Sequence, residues 1–207
     1  MQIQTQTRMN NTITKEELAA LPTKEYAGYA VTVINREQAE IAIGQIRESG
    51  CIVGFDTETR PAFQKGISYR VALVQLSIGQ VCYLFRLNKI GEMPQCLVDL
   101  LEDASVVKIG LSTHDDFQNL RKWRPTLAPK GFIELQQLVT NYGITDKSLA
   151  KIYALLFGQK LSKRQRLTNW EADQLTPKQQ AYAALDAVAC VEIYEHLIKM
   201  GRLIIDN

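Results

Sequence analysis

The chain has 207 residues, 46% hydrophobic and 22% charged, a balance that suits one domain with a sizeable core and excludes disorder over most of its length. A net charge of +2 at pH 7 is too small for a whole-molecule grip on a polyanion, so any such grip needs a local patch. No apolar run approaches the ~20 residues of a membrane span and the start has no signal-peptide core, so the expectation is a soluble, cytoplasmic protein without a membrane partner.

Residues 1–12 are polar and expected to be flexible, leaving 13–207 as the folded domain. "TKEELAALP" then reads as a short capped helix stopped by Pro22. A β-like segment follows at "YAVTVI", an amphipathic helix from about Arg36 to Glu48, and a strand at "CIVGFDTE". Two further strands, "RVALVQLSI" and "QVCYLF", are separated by the tight turn of Gly79 and Gln80 and should pair antiparallel. Next come helix "CLVDLLED", strand "SVVKIG" and helix "HDDFQNLRKW", with helices expected for nearly all of the rest. Hairpin strands first and crossovers later imply an α/β fold, a mixed central sheet flanked by helices. Residues 158–180 form a long polar connection carrying Lys160, Lys163, Arg164 and Arg166.

Cys51, Cys82, Cys96 and Cys190 form no CxxC pair, and the chain has two histidines, so the thiols read as structural cysteines of a reducing compartment rather than zinc ligands.

Acids face inward at three places. Side chains alternate along a strand, so Asp56 and Glu58 of "IVGFDTET" share one face while Phe55 and Thr57 share the other. Alone, such a pair also fits a solvated strand end. The last helix opens with Thr176, Pro177 and Gln179, an N-cap, a first-turn proline and a capping-box glutamine. At about 100° per residue, Asp186 lies inside the stripe of Tyr182, Leu185, Ala189 and Ile193. A buried carboxylate needs a partner. Tyr182, one turn earlier, projects beside it, which also fits a hydrogen bond within the core. In "THDDFQNLRKW", Leu120 and Trp123 set the apolar side, which selects Asp116 over Asp115 and puts His114 on another side as a surface group.

Four inward carboxylates and a phenol, without sulfur or imidazole, describe a hard oxygen site for Mg²⁺ or Mn²⁺. Two such ions about 3.5 to 4 Å apart can clamp the attacking and leaving oxygens of a phosphoryl displacement.

"FDTET", "KIGLSTHDDFQNL" and "YAALDA", in that order, with "RQRLTNW" before the last, resemble the three exonuclease motifs of the DEDD superfamily. Tyr182 four positions before Asp186, with Ala181 where the histidine subclass would place its histidine, points to the DEDDy subclass. The resemblance is to ribonuclease D and Werner syndrome exonuclease domains and runs from about Tyr29 to Leu197. It implies a ribonuclease H-like fold and metal-dependent hydrolysis of nucleic acid from the 3′ end, releasing nucleoside 5′-monophosphates. It further implies that Asp56 bridges two metal ions, Glu58 and Asp186 complete the tighter site, Asp116 holds the second ion through water, and Tyr182 orients the attacking water. Ribonuclease D proteins carry further C-terminal helical domains, so a chain ending at Asn207 is expected to be a bare exonuclease domain of low processivity.

For the nucleic-acid partner, Lys163, Arg164 and Arg166 are candidates for phosphate contact, Phe63 for stacking on a terminal base, and Lys65 and Arg70 for weaker contacts. Trp170 reads as a core anchor. The competing reading is a catalytically silent nucleic-acid-binding module on the same fold, which loss of one acid would have favoured.

Overall fold

The computed structural model describes residues 11–50 and 52–205, the side chains of residues 202–205 excepted. Cys51, and the expected flexible N-terminus as far as residue 10, lie outside the described residues. Thr12 donates its hydroxyl to Asp146 (2.7 Å), and the Asn11 carbonyl accepts from the Thr145 amide (2.9 Å).

In chain order the elements are α1 (Lys15–Ala20), β1 (Tyr29–Val33), α2 (Arg36–Ser49), β2 (Val53–Thr59), β3 (Val71–Ile78), β4 (Val81–Arg86) and α3 (Leu87–Ile90). They continue with α4 (Gln95–Glu102), β5 (Lys108–Gly110), α5 (Thr113–Leu120), β6 (Phe132–Glu134), α6 (Leu135–Leu138), α7 (Leu149–Phe157) and α8 (Pro177–Ile205). The capping box expected at the first helix is present, Thr14 and Glu17 each bonding the other's backbone amide. Helix α2 ends at Gly50, whose left-handed φ of 58° accommodates the C-cap.

The sheet order is β1-β4-β3-β2-β5-β6, and β3 alone runs against its neighbours. The β3–β4 hairpin turns at Gly79, with φ 54°, as the sequence suggests. One correction concerns the stretch expected to be helical beyond α5. Phe132–Glu134 adds a sixth strand, parallel to β5. A second concerns α5, which stops at Leu120. Trp123 lies past the helix in a turn before Pro125 and donates its indole N–H to the Val71 carbonyl at 2.8 Å.

Alternation along β2 decides what lies on each side of the sheet. Val53 and Phe55 face a core built with α2 and α4, including Ile43, Ile46, Leu97 and Leu101. Phe55, Phe117 and Phe132 meet there in tilted and edge-on pairs. The other side is covered by α7 and α8, through Tyr153, Leu185, Ala189 and Ile193 and through Ala183, Ala184 and Ala187. Small residues on α8 let it approach the sheet closely. A Cβ built on Gly54 would lie 2.1 Å from the Ala187 carbonyl oxygen and 2.3 Å from Ser77 Oγ. That close approach lays Asp186 against the acids of β2.

Lys108, fully buried in β5, bonds the Leu100 carbonyl (2.9 Å) and the Asp103 carbonyl (2.6 Å), which caps the end of α4 from the neighbouring strand. Burial pushes its ammonium down to about 8.

Candidate active site

Central strand β2 delivers Asp56 and Glu58 to the α8 side, and a bulge between Glu58 and Thr59 breaks the β2–β3 register there. The start of α8 is fixed by the expected capping box, with the Gln179 amide on Thr176 Oγ1 (3.2 Å) and the Thr176 amide on Gln179 Oε1 (3.0 Å). Gln179 also reaches back to Thr168 and Asn169. The helix therefore leaves in a fixed direction, and Tyr182 and Asp186 arrive one turn apart on its inner side. Carboxylate oxygens of Asp56, Glu58 and Asp186 lie within 4.8 Å of one another.

Asp116 is placed differently. Thr57, on the opposite face of β2 from Asp56, donates its hydroxyl to Asp116 Oδ1. Helix α5, which carries Asp116, starts at Ser112, a non-glycine residue with φ 61°. Glu134 of β6 holds that start, accepting from the Ser112 amide (2.9 Å), the Thr113 amide (2.8 Å) and the Thr113 hydroxyl (2.9 Å). Asp116 thus flanks the three-carboxylate cluster without joining it. His114 is exposed and pairs with Gln118, in line with its reading as a surface group.

Like charges this close oppose ionisation. Burial, then Asp186, pushes Asp56 well above the carboxylate range. Burial and the charges of Asp56, Asp186 and Asp116 push Glu58 up to about 10, with Arg166 pulling the other way. Burial and Asp56 push Asp116 up to about 8 against the Thr57 hydrogen bond. Burial pushes Asp186 up to about 7 against the Tyr182 hydrogen bond and the charge of Lys163. The Tyr182 phenol is raised too, by burial first and then by Asp186 and Glu58. Among the described residues, no lysine, arginine or histidine forms an ion pair with any of the four acids. An all-oxygen donor set with no cation in contact is chemically suited to Mg²⁺ or Mn²⁺, which would supply positive charge at the cluster.

The acids open onto a cleft of about 470 Å³ lined by Asp56, Tyr182 and Asp186 together with Lys163, Arg166 and Lys147. Sequence reasoning missed Lys147. Its signal was slight, a lysine directly before Ser148, the N-cap of α7. Arg164 is exposed and does not line the cleft. Lys160 bonds the Ala19 carbonyl and pairs with Thr23, which turns it away from the cleft. Trp170 is fully buried, as expected, and anchors the connection before α8. The buried Arg86 guanidinium bonds the Asp173 carbonyl (2.8 Å) and the Ala172 carbonyl. Phe63 is 80% exposed and lines a separate hollow with Arg60, Tyr69 and Leu167. Arg70 lies over the Trp123 ring at 4.9 Å, and Lys65 is exposed.

A mixed sheet with flanking helices and a carboxylate cluster at the end of its central strand defines a ribonuclease H-like fold of the exonuclease kind. The chain belongs to the 3′-5′ exonuclease family of hydrolases, whose model matches residues 30–202. It is 38% identical to the exonuclease 3′-5′ domain-containing protein 2 of Drosophila melanogaster over 72% of this chain and 25% of that protein. It is 34% identical to the bifunctional 3′-5′ exonuclease/ATP-dependent helicase WRN of Mus musculus over 73% of this chain and 11% of that protein. The chain therefore spans a minor part of these two curated relatives. Among solved structures, the Aedes aegypti Nibbler EXO domain superposes with a TM-score of 0.74 at 22% identity, covering 89% of this chain and 93% of that one. Escherichia coli RNase D superposes with a TM-score of 0.71 at 22% identity, over 81% of this chain and 44% of that one. Both support the fold.

Proposed function

We propose that the chain is a divalent-metal-dependent 3′-5′ exonuclease that hydrolyses phosphodiester bonds of DNA or RNA and releases nucleoside 5′-monophosphates. The observation that carries this is the meeting of Asp56, Glu58 and Asp186 oxygens within 4.8 Å, in no ion pair among the described residues. In this reading Asp56, Glu58 and Asp186 would hold one Mg²⁺ or Mn²⁺ ion, and Asp56 and Asp116 would serve a second. Bound there, such ions supply positive charge that acidifies water and stabilises a leaving oxygen.

The chain's own groups do the rest. The raised Tyr182 phenol stays protonated at neutral pH, so it orients water by hydrogen bonding and does not act as the base. It lines the cleft beside Asp56 and Asp186. Lys163, Arg166 and Lys147 meet backbone phosphates along the cleft wall, Arg164 extends that basic track, and Phe63 stacks on an exposed base.

The test is a time course on 5′-labelled single-stranded and 3′-recessed DNA, and matched RNA, with Mg²⁺, Mn²⁺ or EDTA, beside Asp56→Ala. A metal-dependent ladder shortening from the 3′ end and lost in the variant is expected. Binding without cleavage of any substrate would favour the silent nucleic-acid-binding module instead.

A further inference from the structure

Behind the carboxylates lies a polar group that the mechanism above does not use. Gln75, in the middle of β3, is fully buried, and neither its Oε1 nor its Nε2 has a hydrogen-bond partner among the described residues. Ser77 Oγ, two positions along, is buried and unpartnered as well. Leaving a buried amide unbonded is costly, so a well-packed strand has reason to carry leucine or valine at such a position unless the amide serves something.

The register says what it faces. Gln75 is the direct cross-strand partner of Asp56, and Ser77 that of Gly54. Directly opposed residues on adjacent strands place their Cβ atoms about 4.5–5.5 Å apart on the same face. That face is the one under α8, because Leu84, the partner of Gln75 on β4, belongs to the cluster built with Ala183, Ala184 and Ala187. Ser77 in turn faces Cys82 of β4, whose thiol burial and the nearby Asp56 keep protonated. A thiol is a weak donor, so the Gln75 amide and the Ser77 hydroxyl are the stronger neutral side-chain donors on this face.

We infer that Gln75 is a positioning residue for Asp56, its amide N–H reaching the Asp56 carboxylate through one water shared with Ser77, and so holding the carboxylate for metal binding. The inference rests on the metal reading given above. A neutral donor suits this place because a lysine or arginine would compete with the cation for the same carboxylate.

The test uses the whole chain stripped with EDTA, titrated calorimetrically with Mn²⁺, for wild type, Gln75→Met, Asp56→Asn and the double variant. Partners that orient a ligand typically contribute 10–100-fold to metal affinity. Gln75→Met should therefore weaken Mn²⁺ binding by about tenfold or more and lower kcat with little change in KM, while the metal-free melting temperature stays level or rises. In the Asp56→Asn background the same substitution should cause no further loss, because its effect runs through Asp56. Wild-type Mn²⁺ affinity in Gln75→Met, or a full additional loss in the double variant, overturns the inference. If Gln75→Met does not fold, Gln75→Asn keeps the amide but withdraws it by one methylene, and undiminished affinity there overturns it equally. A wild-type chain that binds no Mn²⁺ overturns the metal reading itself, and this inference with it.

Discussion

Gly54 of β2 lies directly beneath the main chain of Ala187 on α8, so close that a Cβ would come within 2.1 Å of the Ala187 carbonyl oxygen. The residue before Ala187 is Asp186 and the residue two after Gly54 is Asp56, so this contact sets the spacing of the carboxylate cluster. Gly54→Ala should push α8 away from the sheet. Overpacking of this kind costs about 1–3 kcal/mol, roughly 2 to 10 °C of melting temperature at this chain length. A misplacement of about 1 Å can cost 100-fold in rate. Turnover measured well below the variant's melting point should therefore fall by far more than its folded fraction. Turnover that tracks the folded fraction would separate the contact from the chemistry.

Stability of the metal-free chain should depend on pH through the same carboxylates. Their folded values lie above their ordinary ones, with Glu58 at about 10, Asp116 at about 8 and Asp186 at about 7. Below about pH 4 both folded and unfolded chains are protonated at these groups, and no penalty arises. As pH rises the unfolded chain ionises first, the folded chain holds its protons longer, and stability falls until the folded values are passed. The EDTA-treated chain should therefore melt lower at pH 8.5 than at pH 5.5. Asp56→Asn should flatten that slope and raise the melting temperature at pH 8.5. Mn²⁺ should stabilise the wild type more at the higher pH, because it binds the ionised carboxylates. Thermal scans with and without EDTA at the two pH values decide this.

How far the sequence reached follows from the range of each interaction. The period of two in "IVGFDTET" places Asp56 and Glu58 on one face, and the capping residues Thr176 and Gln179 place the start of α8, because both signals are local. Strand β6 escaped notice because "FIE" is too short to show alternation and runs directly into the apolar "LQQLV". The parallel pairing of β1 with β4 joins segments that are distant in sequence, so no local pattern announces it. On α5 Asp116 is half-buried and Asp115 exposed, but the bond of Asp116 to Thr57 depends on how that helix docks against β2. Lys147 enters the cleft only because α7 packs near α8, whereas Lys160, of the same type as Lys163, is drawn off by the Ala19 carbonyl.

Tyr182 offers a variant that separates chemistry from metal binding. Its phenol lines the cleft beside Asp186, and burial and the neighbouring acids hold it protonated. Tyr182→Phe removes the hydroxyl and keeps the ring. Loss of a positioned proton-handling group typically costs about 10²–10⁴-fold in rate. Single-turnover hydrolysis should slow by at least about 100-fold, while Mn²⁺ affinity changes by less than about threefold, the phenol being no ligand in this reading. Unchanged turnover would remove Tyr182 from the mechanism.

The basic residues on the cleft wall should show themselves in salt dependence. Lys163 and Arg166 are exposed, line the cleft with Asp56 and Tyr182, and have no ion-pair partner among the described residues, so both are free to meet phosphates. Each phosphate neutralised on a single strand adds roughly 0.7 to the slope of log affinity against log salt. Lys163→Ala and Arg166→Ala should each weaken single-strand binding and reduce that slope by roughly 0.7, with the sequence dependence of binding unaltered. Arg164 lies off the cleft wall, and its replacement by alanine should affect long substrates more than short ones, since only a longer strand reaches beyond the cleft. Fluorescence anisotropy with labelled oligonucleotides of two lengths, repeated across a salt series, measures all of these. An unchanged slope in both Lys163→Ala and Arg166→Ala would place the strand elsewhere on the surface.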